Sequence, residues 1–321
     1  MPWESVEPSA ELQERFEDAH AYSVENNGLS MVVIQGDEIL FEEYANGHSA
    51  ETPWVLWSGT KTFVCAMAME GVEQGLLDLD EKAADTLPAL HEDITLRHLL
   101  TFTSGLKTDR RKLGRDGFYE EQRVDDKYAY AVAQPMSYAP GEVFEYGSVH
   151  HAVFGAVMKE KTGGSPLDFL EEHVLEPIGF QYSGWVHDPS GNPMFSYGAW
   201  TTATQWARFG VLLRDDGLWQ GERVLPEGTL AACSTATDAN PAYGLSAWLN
   251  QDPDGLDLSH IGEMEADGPI LHAEGHTNIL AAAGARGQRI YVVPDLDWVV
   301  VVQSDSATFV DHEFLGRLFG E

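Results

Sequence analysis

An apolar segment without proline, residues 62–75, constrains the fold of this chain more than any other feature. Its apolar residues are Phe63, Val64, Cys65, Ala66, Met67, Ala68, Met69 and Val72. They cover almost every side of a helix, so the segment predicts a buried helix with other elements packed around it. A chain of 321 residues with 43% hydrophobic content can supply those elements, as one large domain or two interleaved ones.

Directly before this segment, Ser58-Gly59-Thr60-Lys61 places a hydroxyl and an ammonium three residues apart. Residues at that spacing share a helix face, so Lys61 is expected one turn above Ser58. At the start of a helix, free backbone N–H groups and the helix dipole favour an alkoxide, and burial lowers the pKa of a lysine. The pattern therefore predicts that Ser58 is a nucleophile and that Lys61 is its base.

The same spacing recurs at Ser104-Gly105-Leu106-Lys107, so the pattern alone is not specific. Its ordinary structural meaning is a capping serine followed by a solvated lysine. The second copy lies in a stretch rich in Thr and Gly and precedes the charged residues 108–112. Only Lys61 is expected to be desolvated, which makes Ser58 the preferred nucleophile.

The charge of the chain excludes several classes of partner. With 52 acidic against 19 basic residues, the net charge is -33, which repels nucleic acid and anionic membranes. The acidic residues are scattered along the chain, as expected for a solvated surface. No apolar stretch reaches membrane-spanning length, and residues 1–7 lack the basic and apolar parts of a signal peptide. We therefore expect a cytoplasmic protein.

The remaining single signals predict neither a metal nor a cofactor. His272 and His276 are four residues apart but lack the His-Glu-x-x-His order, and no phosphate-binding glycine loop or Gly-x-Ser-x-Gly elbow is present. Cys65 and Cys233 are far apart, so a packed thiol is expected rather than a disulfide. Five tryptophans could line an apolar acyl pocket, although most large aromatic residues belong to cores: Trp54, Trp57, Trp185, Trp200 and Trp248.

Local signals at both ends of the chain predict strands with flanking helices. Ser9 caps a predicted helix over residues 10–25, and Gly36-Asp37 joins predicted strands at residues 31–35 and 38–44. Three strands and a last helix are predicted near the other end: residues 279–283, 289–293, 298–303 and 308–319.

Between these ends, residues 58–205 are predicted to be mostly helix and loop, with a long polar loop at 107–119 that suits a lid or rim. The expected fold class is α/β (α+β), an antiparallel sheet flanked by N- and C-terminal helices with a large, mostly helical insertion. Residues 1–57 and 206–321 would form a discontinuous sheet domain, and residues 58–205 a mostly helical one. The active site would lie at their interface.

Two further clusters have a possible chemical role. Tyr146 follows the Pro140-Gly141 turn, and a tyrosine held beside a lysine ammonium can move a proton to or from a serine. Taken alone, a tyrosine at such a position is more often a packed amphipathic residue than a catalytic one. The small residues in 282–288 would let a ligand approach the backbone, where an N–H group could donate to a developing oxyanion. The alternative explanation for these small residues is a tight bend with close packing.

In this order, the clusters resemble the serine β-lactamase and penicillin-binding-protein superfamily. Within it, the chain resembles class C-like esterases and the 6-aminohexanoate-dimer hydrolases. The resemblance begins with Ser58-Gly59-Thr60-Lys61, Leu76-Leu77-Asp78-Leu79-Asp80-Glu81 and Ile94-Thr95-Leu96-Arg97-His98-Leu99-Leu100-Thr101-Phe102-Thr103-Ser104-Gly105-Leu106. It continues through residues 140–148, 163–164, 177–179, 201–203, 221–226 and 284–294, so it spans nearly the whole chain.

This resemblance implies a set of roles. Ser58 would be the acylated nucleophile, Lys61 its base and Tyr146 the proton shuttle. The backbone N–H groups of Ser58 and Ala285 would form the oxyanion hole. Ser148 and Gly284 would contact a small-molecule ester or amide substrate.

Two departures from the superfamily pattern favour an esterase. Tyr146-Gly147-Ser148 replaces Tyr-x-Asn, and Ala282-Ala283-Gly284 replaces Lys-Thr-Gly, which removes a cation that would hold a substrate carboxylate. The preferred interpretation is therefore a serine hydrolase that cleaves carboxylic esters or small amides, with esters preferred. A β-lactamase or D-alanyl peptidase is the first alternative, and a non-catalytic binding homologue is the second.

Overall fold

The computed structural model describes residues 3–108, 124–258, 268–273, 276 and 278–320. Its strands are β1 (Glu4–Ser5), β2 (Gly28–Gln35), β3 (Glu38–Tyr44), β4 (Trp54–Val55), β5 (Gly184–Trp185), β6 (Ala199–Thr201), β7 (Leu218–Trp219), β8 (Glu222–Arg223), β9 (Trp248–Leu249), β10 (Leu280–Gly284), β11 (Gln288–Val293) and β12 (Trp298–Ser304). Most of the loop predicted at residues 107–119 lies outside the described residues.

The α-helices are α1 (Ala10–Glu25), α2 (Phe63–Glu73), α3 (Ala83–Thr86), α4 (Leu96–Leu100), α5 (Lys127–Val132), α6 (Ser148–Thr162), α7 (Pro166–Leu170), α8 (Ala203–Arg214), α9 (Thr229–Cys233) and α10 (Asp311–Phe319). A 3₁₀ helix, Trp57–Thr62, leads directly into α2. A second 3₁₀ helix, Pro294–Leu296, joins β11 to β12, and a π-helix, Glu171–Leu175, extends α7. Within the described ranges, every helix is too short or too polar to cross a bilayer.

A seven-stranded sheet in the order β1-β3-β2-β12-β11-β10-β9 forms the centre of the fold. All of its pairs are antiparallel except the short edge pair of β1 with β3, which is parallel. The strands come from both ends of the chain, as predicted. The central strands β2 and β12 are mostly apolar and are buried along nearly their whole length. The α/β (α+β) fold class is confirmed.

Alternate residues of β12 belong to two different cores, as the two faces of a strand require. Val299 and Val301 pack in the core that contains Phe209 of α8. Val300 and Val302 pack in the core that contains Phe16 of α1 and residues of α10. The sheet is therefore covered on both faces, with α8 on one and α1 and α10 on the other.

Several predicted elements need correction. The last helix begins at Asp311 rather than at 308, because the Thr308 N–H bonds Ser306 Oγ (3.0 Å) and the Val310 N–H bonds the Tyr22 hydroxyl (2.9 Å). The middle region also contains a small sheet that was not predicted, in the order β4-β6-β5. Its strands have only two or three residues, too few to show a period of two.

The prediction of packed thiols is wrong, because Cys65 and Cys233 form a disulfide with a Cα–Cα distance of 5.9 Å. Cys65 lies on α2 and Cys233 ends α9, and both are fully buried. Packing of α9 against α2 brings together two residues that are 168 positions apart, a proximity that sequence spacing does not reveal.

Candidate active site

The turn that carries Ser58 is held by backbone contacts on both sides. β4 pairs with β6, and the Leu56 N–H then donates to the Ala199 carbonyl (3.0 Å). The chain enters the 3₁₀ helix Trp57–Thr62, in which the Gly59 N–H donates to the Leu56 carbonyl (2.9 Å). Ser58 therefore lies one 3₁₀ segment before α2 rather than at the first turn of the α-helix, and it is half-buried.

Lys61 contacts Ser58, as their spacing predicted. Its Nζ lies 3.1 Å from Ser58 Oγ and donates to the Ser196 carbonyl at 2.6 Å, and the side chain is only 5% exposed. The same Nζ lies 4.9 Å from the centroid of the Tyr146 ring. A buried amine in contact with a hydroxyl can take up its proton, and the carbonyl and the ring face would then stabilise the resulting ammonium.

Tyr146 belongs to a buried group of aromatic rings. Its ring stacks on Trp248 (5.5 Å between centroids, 22° between planes) and meets Phe102 edge-on (5.2 Å). The side chain is 3% exposed, and the backbone is fixed by a bond from the Glu145 N–H to the Phe102 carbonyl (2.9 Å). These contacts fix the phenol ring beside Lys61 and exclude water from one side of the site.

Gly284 ends β10 directly against the turn that carries Ser58. A Cβ at this position would lie 2.1 Å from the Leu56 carbonyl oxygen and 2.9 Å from the Gly59 nitrogen, so only glycine allows the approach. Ala285 follows it and is exposed. The two alternatives for this segment are thus compatible, because close packing brings the end of β10 to Ser58. The roles of Gly284 in substrate binding and of Ala285 in an oxyanion hole stay predictions.

Ser148 is the first residue of α6 and is half-buried. Gly147 before it has extended backbone (φ -171), and a Cβ there would lie 2.9 Å from Thr108 Cβ. The helix therefore starts two residues after Tyr146, close to the proposed site. The role of Ser148 in substrate binding stays a prediction.

The serine of the second Ser-x-x-Lys copy, Ser104, forms buried hydrogen bonds that stabilise the fold. Ser104 is fully buried, and its Oγ lies 3.0 Å from His150 Nδ1 and accepts the Leu106 N–H. His150 Nε2 lies 2.7 Å from the Glu145 carbonyl, which can only accept, so Nε2 carries the proton and Ser104 donates to Nδ1. Burial, together with a smaller effect of the charge of Lys61, lowers the pKa of His150 to about 4. Neutral His150 thus anchors the backbone next to Tyr146.

Sequence reasoning missed two contributors to the site. The Ser196 carbonyl bonds Lys61 across 135 residues, and no sequence pattern indicates a backbone oxygen in that role. The other contributor is His150, and its place four residues after Tyr146 was the only available signal. His151 is also packed, with Nε2 2.8 Å from Ser246 Oγ, and burial lowers its pKa well below the ordinary value.

Among the residues that the structure describes, no group of three His, Cys, Asp or Glu residues could hold a metal ion. His272 is buried with its ring 5.2 Å from that of His312. Of the three residues between His272 and His276, residues 274 and 275 lie outside the described residues.

A sequence profile of the family described as Beta-lactamase matches residues 14–318. Penicillin-binding protein 4 of Amycolatopsis lactamdurans is 27% identical over 289 residues, which cover 74% of this chain and 72% of that protein. Another curated relative, 24% identical over 143 residues, is matched over only 28% of its own length.

Two solved structures share the fold. A proposed 6-aminohexanoate-dimer hydrolase from Bacillus anthracis superposes with a TM-score of 0.75 at 18% identity, covering 94% of this chain and 79% of that one. EstCE1, described as a hydrolase with promiscuous acyltransferase activity, superposes with a TM-score of 0.71 at 17% identity, covering 96% and 97%. Since the profile match extends over nearly the whole sequence, the chain belongs to the beta-lactamase family, a family of serine hydrolases.

Proposed function

We propose that this protein is a serine hydrolase that cleaves carboxylic esters, in preference to small amides, through an acyl-enzyme on Ser58. The observation that carries the proposal is the contact of a buried amine with a hydroxyl, Lys61 Nζ to Ser58 Oγ at 3.1 Å. A lysine at a protein surface would remain a solvated cation, whereas a buried one can exchange its proton with a neighbouring hydroxyl.

The reaction begins when neutral Lys61 accepts the Ser58 proton and Oγ attacks the ester carbonyl. The backbone N–H groups of Ser58 and Ala285 stabilise the oxyanion of the tetrahedral intermediate. Tyr146 then protonates the leaving alkoxide and regains a proton from Lys61. A water molecule, activated by the same pair, attacks the acyl-enzyme and releases the acid.

The substrate preference follows from β10. Ala282, where the related enzymes have a lysine, is buried and apolar, so that position offers no cation for a substrate carboxylate. We expect neutral short-chain esters to be preferred over nitrocefin by about a hundredfold in kcat/KM, roughly the loss of one charge-assisted contact of ~3 kcal/mol. A comparable rate on nitrocefin would favour the β-lactamase or D-alanyl peptidase alternative.

We also propose the two-part organisation predicted from the sequence. Ser58, Lys61 and Tyr146 belong to residues 58–205, whereas Gly284 and Ala285 belong to residues 206–321. The substrate would then bind between a sheet domain and a mostly helical domain, which is where small-molecule sites are common. The cytoplasmic location belongs to the same set of proposals.

A labelling experiment tests the nucleophile. A fluorophosphonate should modify the wild type at one site, and peptide mass spectrometry should locate the adduct on Ser58. Ser58→Ala should lose both the adduct and p-nitrophenyl acetate turnover, whereas the matched variant Ser104→Ala should still be labelled. An adduct on Ser104 would refute the assignment, and no adduct at all would favour a binding homologue.

The same assay tests the base. Lys61→Arg keeps the positive charge but cannot release a proton at working pH, so burst-phase acylation should fall by about a thousandfold, within the range of general-base effects. If the Lys61→Arg variant is acylated at the wild-type rate, the role of Lys61 is refuted, while Ser58 remains the nucleophile.

A further inference from the structure

Trp57 exposes a large aromatic side chain directly beside the proposed nucleophile. It is 38% exposed, although Leu56 before it and Gly59 after it are buried. Large hydrophobic side chains are seldom exposed in the described residues, where the others are Val186, Trp200 and Leu218. An exposed tryptophan next to a reactive hydroxyl therefore calls for a physical reason.

The backbone of Trp57 adopts a conformation that a bulky residue rarely takes. Its φ is +46, in the left-handed region, where the side chain crowds the backbone. Such a conformation persists only where the surroundings impose it, and it often marks a functional site. Here the Leu56 N–H bond to the Ala199 carbonyl fixes the chain before Trp57, and Gly284 packs against the Leu56 carbonyl and, after Trp57, against the Gly59 nitrogen.

These constraints also direct the side chain. Gly284 occupies the space beside the Leu56 carbonyl, and a Cβ on Gly59 would lie 2.7 Å from the Trp206 ring, so both neighbouring sides of the turn are filled. The indole of Trp57 consequently extends away from the core. Among the described residues it makes no hydrogen bond and no ring contact.

A flat apolar surface is thus available one residue from Ser58, with Cα atoms about 3.8 Å apart. Water hydrates such a surface poorly, and an apolar ring that covers it would gain both area burial and a stacking contact. An ester whose carbonyl reaches Ser58 therefore brings its acid and alcohol groups close to this residue.

Building on the proposed function, we propose that Trp57 is a specificity-determining residue that stacks on a flat apolar group of the substrate. The favoured substrates are esters that carry an aromatic ring, or a similarly flat apolar group, next to the scissile bond. The ring can belong to the acid or to the alcohol, and the choice of test esters distinguishes the two.

Three esters provide the test: methyl acetate as the reference, methyl phenylacetate with a ring on the acid, and benzyl acetate with a ring on the alcohol. The wild type should prefer at least one ring ester to methyl acetate in kcat/KM. Trp57→Ala should reduce that preference by about fivefold, within the range for one aromatic contact, chiefly through a higher KM. Trp57→Phe keeps a flat ring and should retain most of it.

Two controls separate the ring from the backbone and from general surface effects. Trp57→Gly relieves the left-handed strain and removes the ring, so it should lose the preference as fully as Trp57→Ala. Trp200→Ala removes an indole of nearly the same exposure, 39%, which lines a separate shallow pocket with Ser183 and Val186. This variant should keep the wild-type preference.

Each remaining outcome contradicts the proposal in an identifiable way. A wild type without a preference for either ring ester refutes it, as does an equal loss on all three esters in Trp57→Ala. Recovery of the preference in Trp57→Gly, or its loss in Trp200→Ala, refutes it as well. If the fluorophosphonate labels Ser58 but Trp57→Ala has the same kcat/KM ratios among the three esters as the wild type, only the role of Trp57 is refuted. If neither labelling nor ester hydrolysis occurs, the proposed function fails and the role of Trp57 fails with it.

Discussion

The bond between Cys65 and Cys233 closes a long loop, and its removal is expected to lower the stability of the fold substantially. A cross-link restricts the unfolded chain, and a separation of 168 residues corresponds to about 5 kcal/mol at 25 °C in the chain-entropy treatment. For 321 residues, the unfolding entropy is about 0.7 kcal/mol per kelvin. We therefore expect Tm to fall by about 7 °C in Cys65→Ala, in Cys233→Ala and in the double variant.

The three variants test the bond rather than the packing of two sulfur atoms. Each one removes the same cross-link, so the double variant should be no more than about 1 kcal/mol less stable than either single variant. Thermal unfolding followed by circular dichroism gives Tm. Alkylation by iodoacetamide in denaturant without reductant, followed by mass spectrometry, counts the free thiols. Because both sulfur atoms are fully buried, we expect a reductant to act on the unfolded protein and to leave the native bond intact.

Two results would refute this reasoning. Alkylation of both cysteines in the unreduced wild type would mean that no bond forms. Losses that add fully in the double variant would mean that packing, and not the cross-link, stabilises the fold. The bonding state in protein from its own cells also bears on the expected cytoplasmic location, since glutathione keeps most cytosolic thiols reduced.

Two further predictions concern Gly284 and His150. Gly284→Ala should abolish acylation, because its Cβ would lie 2.1 Å from the Leu56 carbonyl oxygen. The matched strand variant Gly184→Ala has open space around its Cβ and should be acylated at the wild-type rate. Equal acylation rates in the two variants would contradict the packing of β10 against the turn that carries Ser58. The pKa of His150 is about 4 in the folded protein against an ordinary 6.5, so the unfolded chain binds a proton first as pH falls, and stability is lost between pH 6.5 and 4. Other buried histidines such as His151 lose stability over the same range, so the share of His150 is the difference between the wild type and His150→Gln. The wild type should lose about 3 kcal/mol more than His150→Gln between pH 7 and pH 4, as measured by unfolding in urea, and equal losses in the two proteins would assign the whole effect to other groups.

Local signals predicted the elements that depend on nearby residues. The helix Ala10–Glu25 has the predicted bounds, because Ser9 Oγ accepts the Leu12 N–H at its start (3.3 Å). The hairpin of β2 and β3 turns at Gly36-Asp37, where Gly36 has a positive φ of 53. The contact of Lys61 with Ser58 belongs to the same class, since it depends only on a three-residue spacing in a helical segment.

Features that depend on distant residues could not be predicted in this way. The disulfide, the Ser196 carbonyl on Lys61 and the close approach of Gly284 each join segments more than a hundred residues apart. Two strand pairings were also missed, that of β1 with β3 and the small sheet of β4, β5 and β6. Apart from β3, these strands have only two or three residues, which is too short for a periodic signal. The second Ser-x-x-Lys copy shows why the spacing alone is not specific, because Ser104 forms a buried hydrogen bond with His150, whereas Ser58 contacts Lys61.

These long-range contacts converge on the turn that carries Ser58. β6 holds Leu56 by a backbone hydrogen bond, β10 packs against it through Gly284, and the disulfide ties the following helix, α2, to α9. A strained residue such as Trp57 can persist only in a segment that is fixed at several points. Catalysis by a serine and a lysine also requires their atoms to stay within hydrogen-bonding distance throughout the reaction. The contacts that impose the strain at Trp57 are therefore also the contacts that hold Ser58 next to Lys61. Removing one of these contacts should lower the acylation rate of every ester alike. Removing the indole of Trp57 should instead change only the preference among esters.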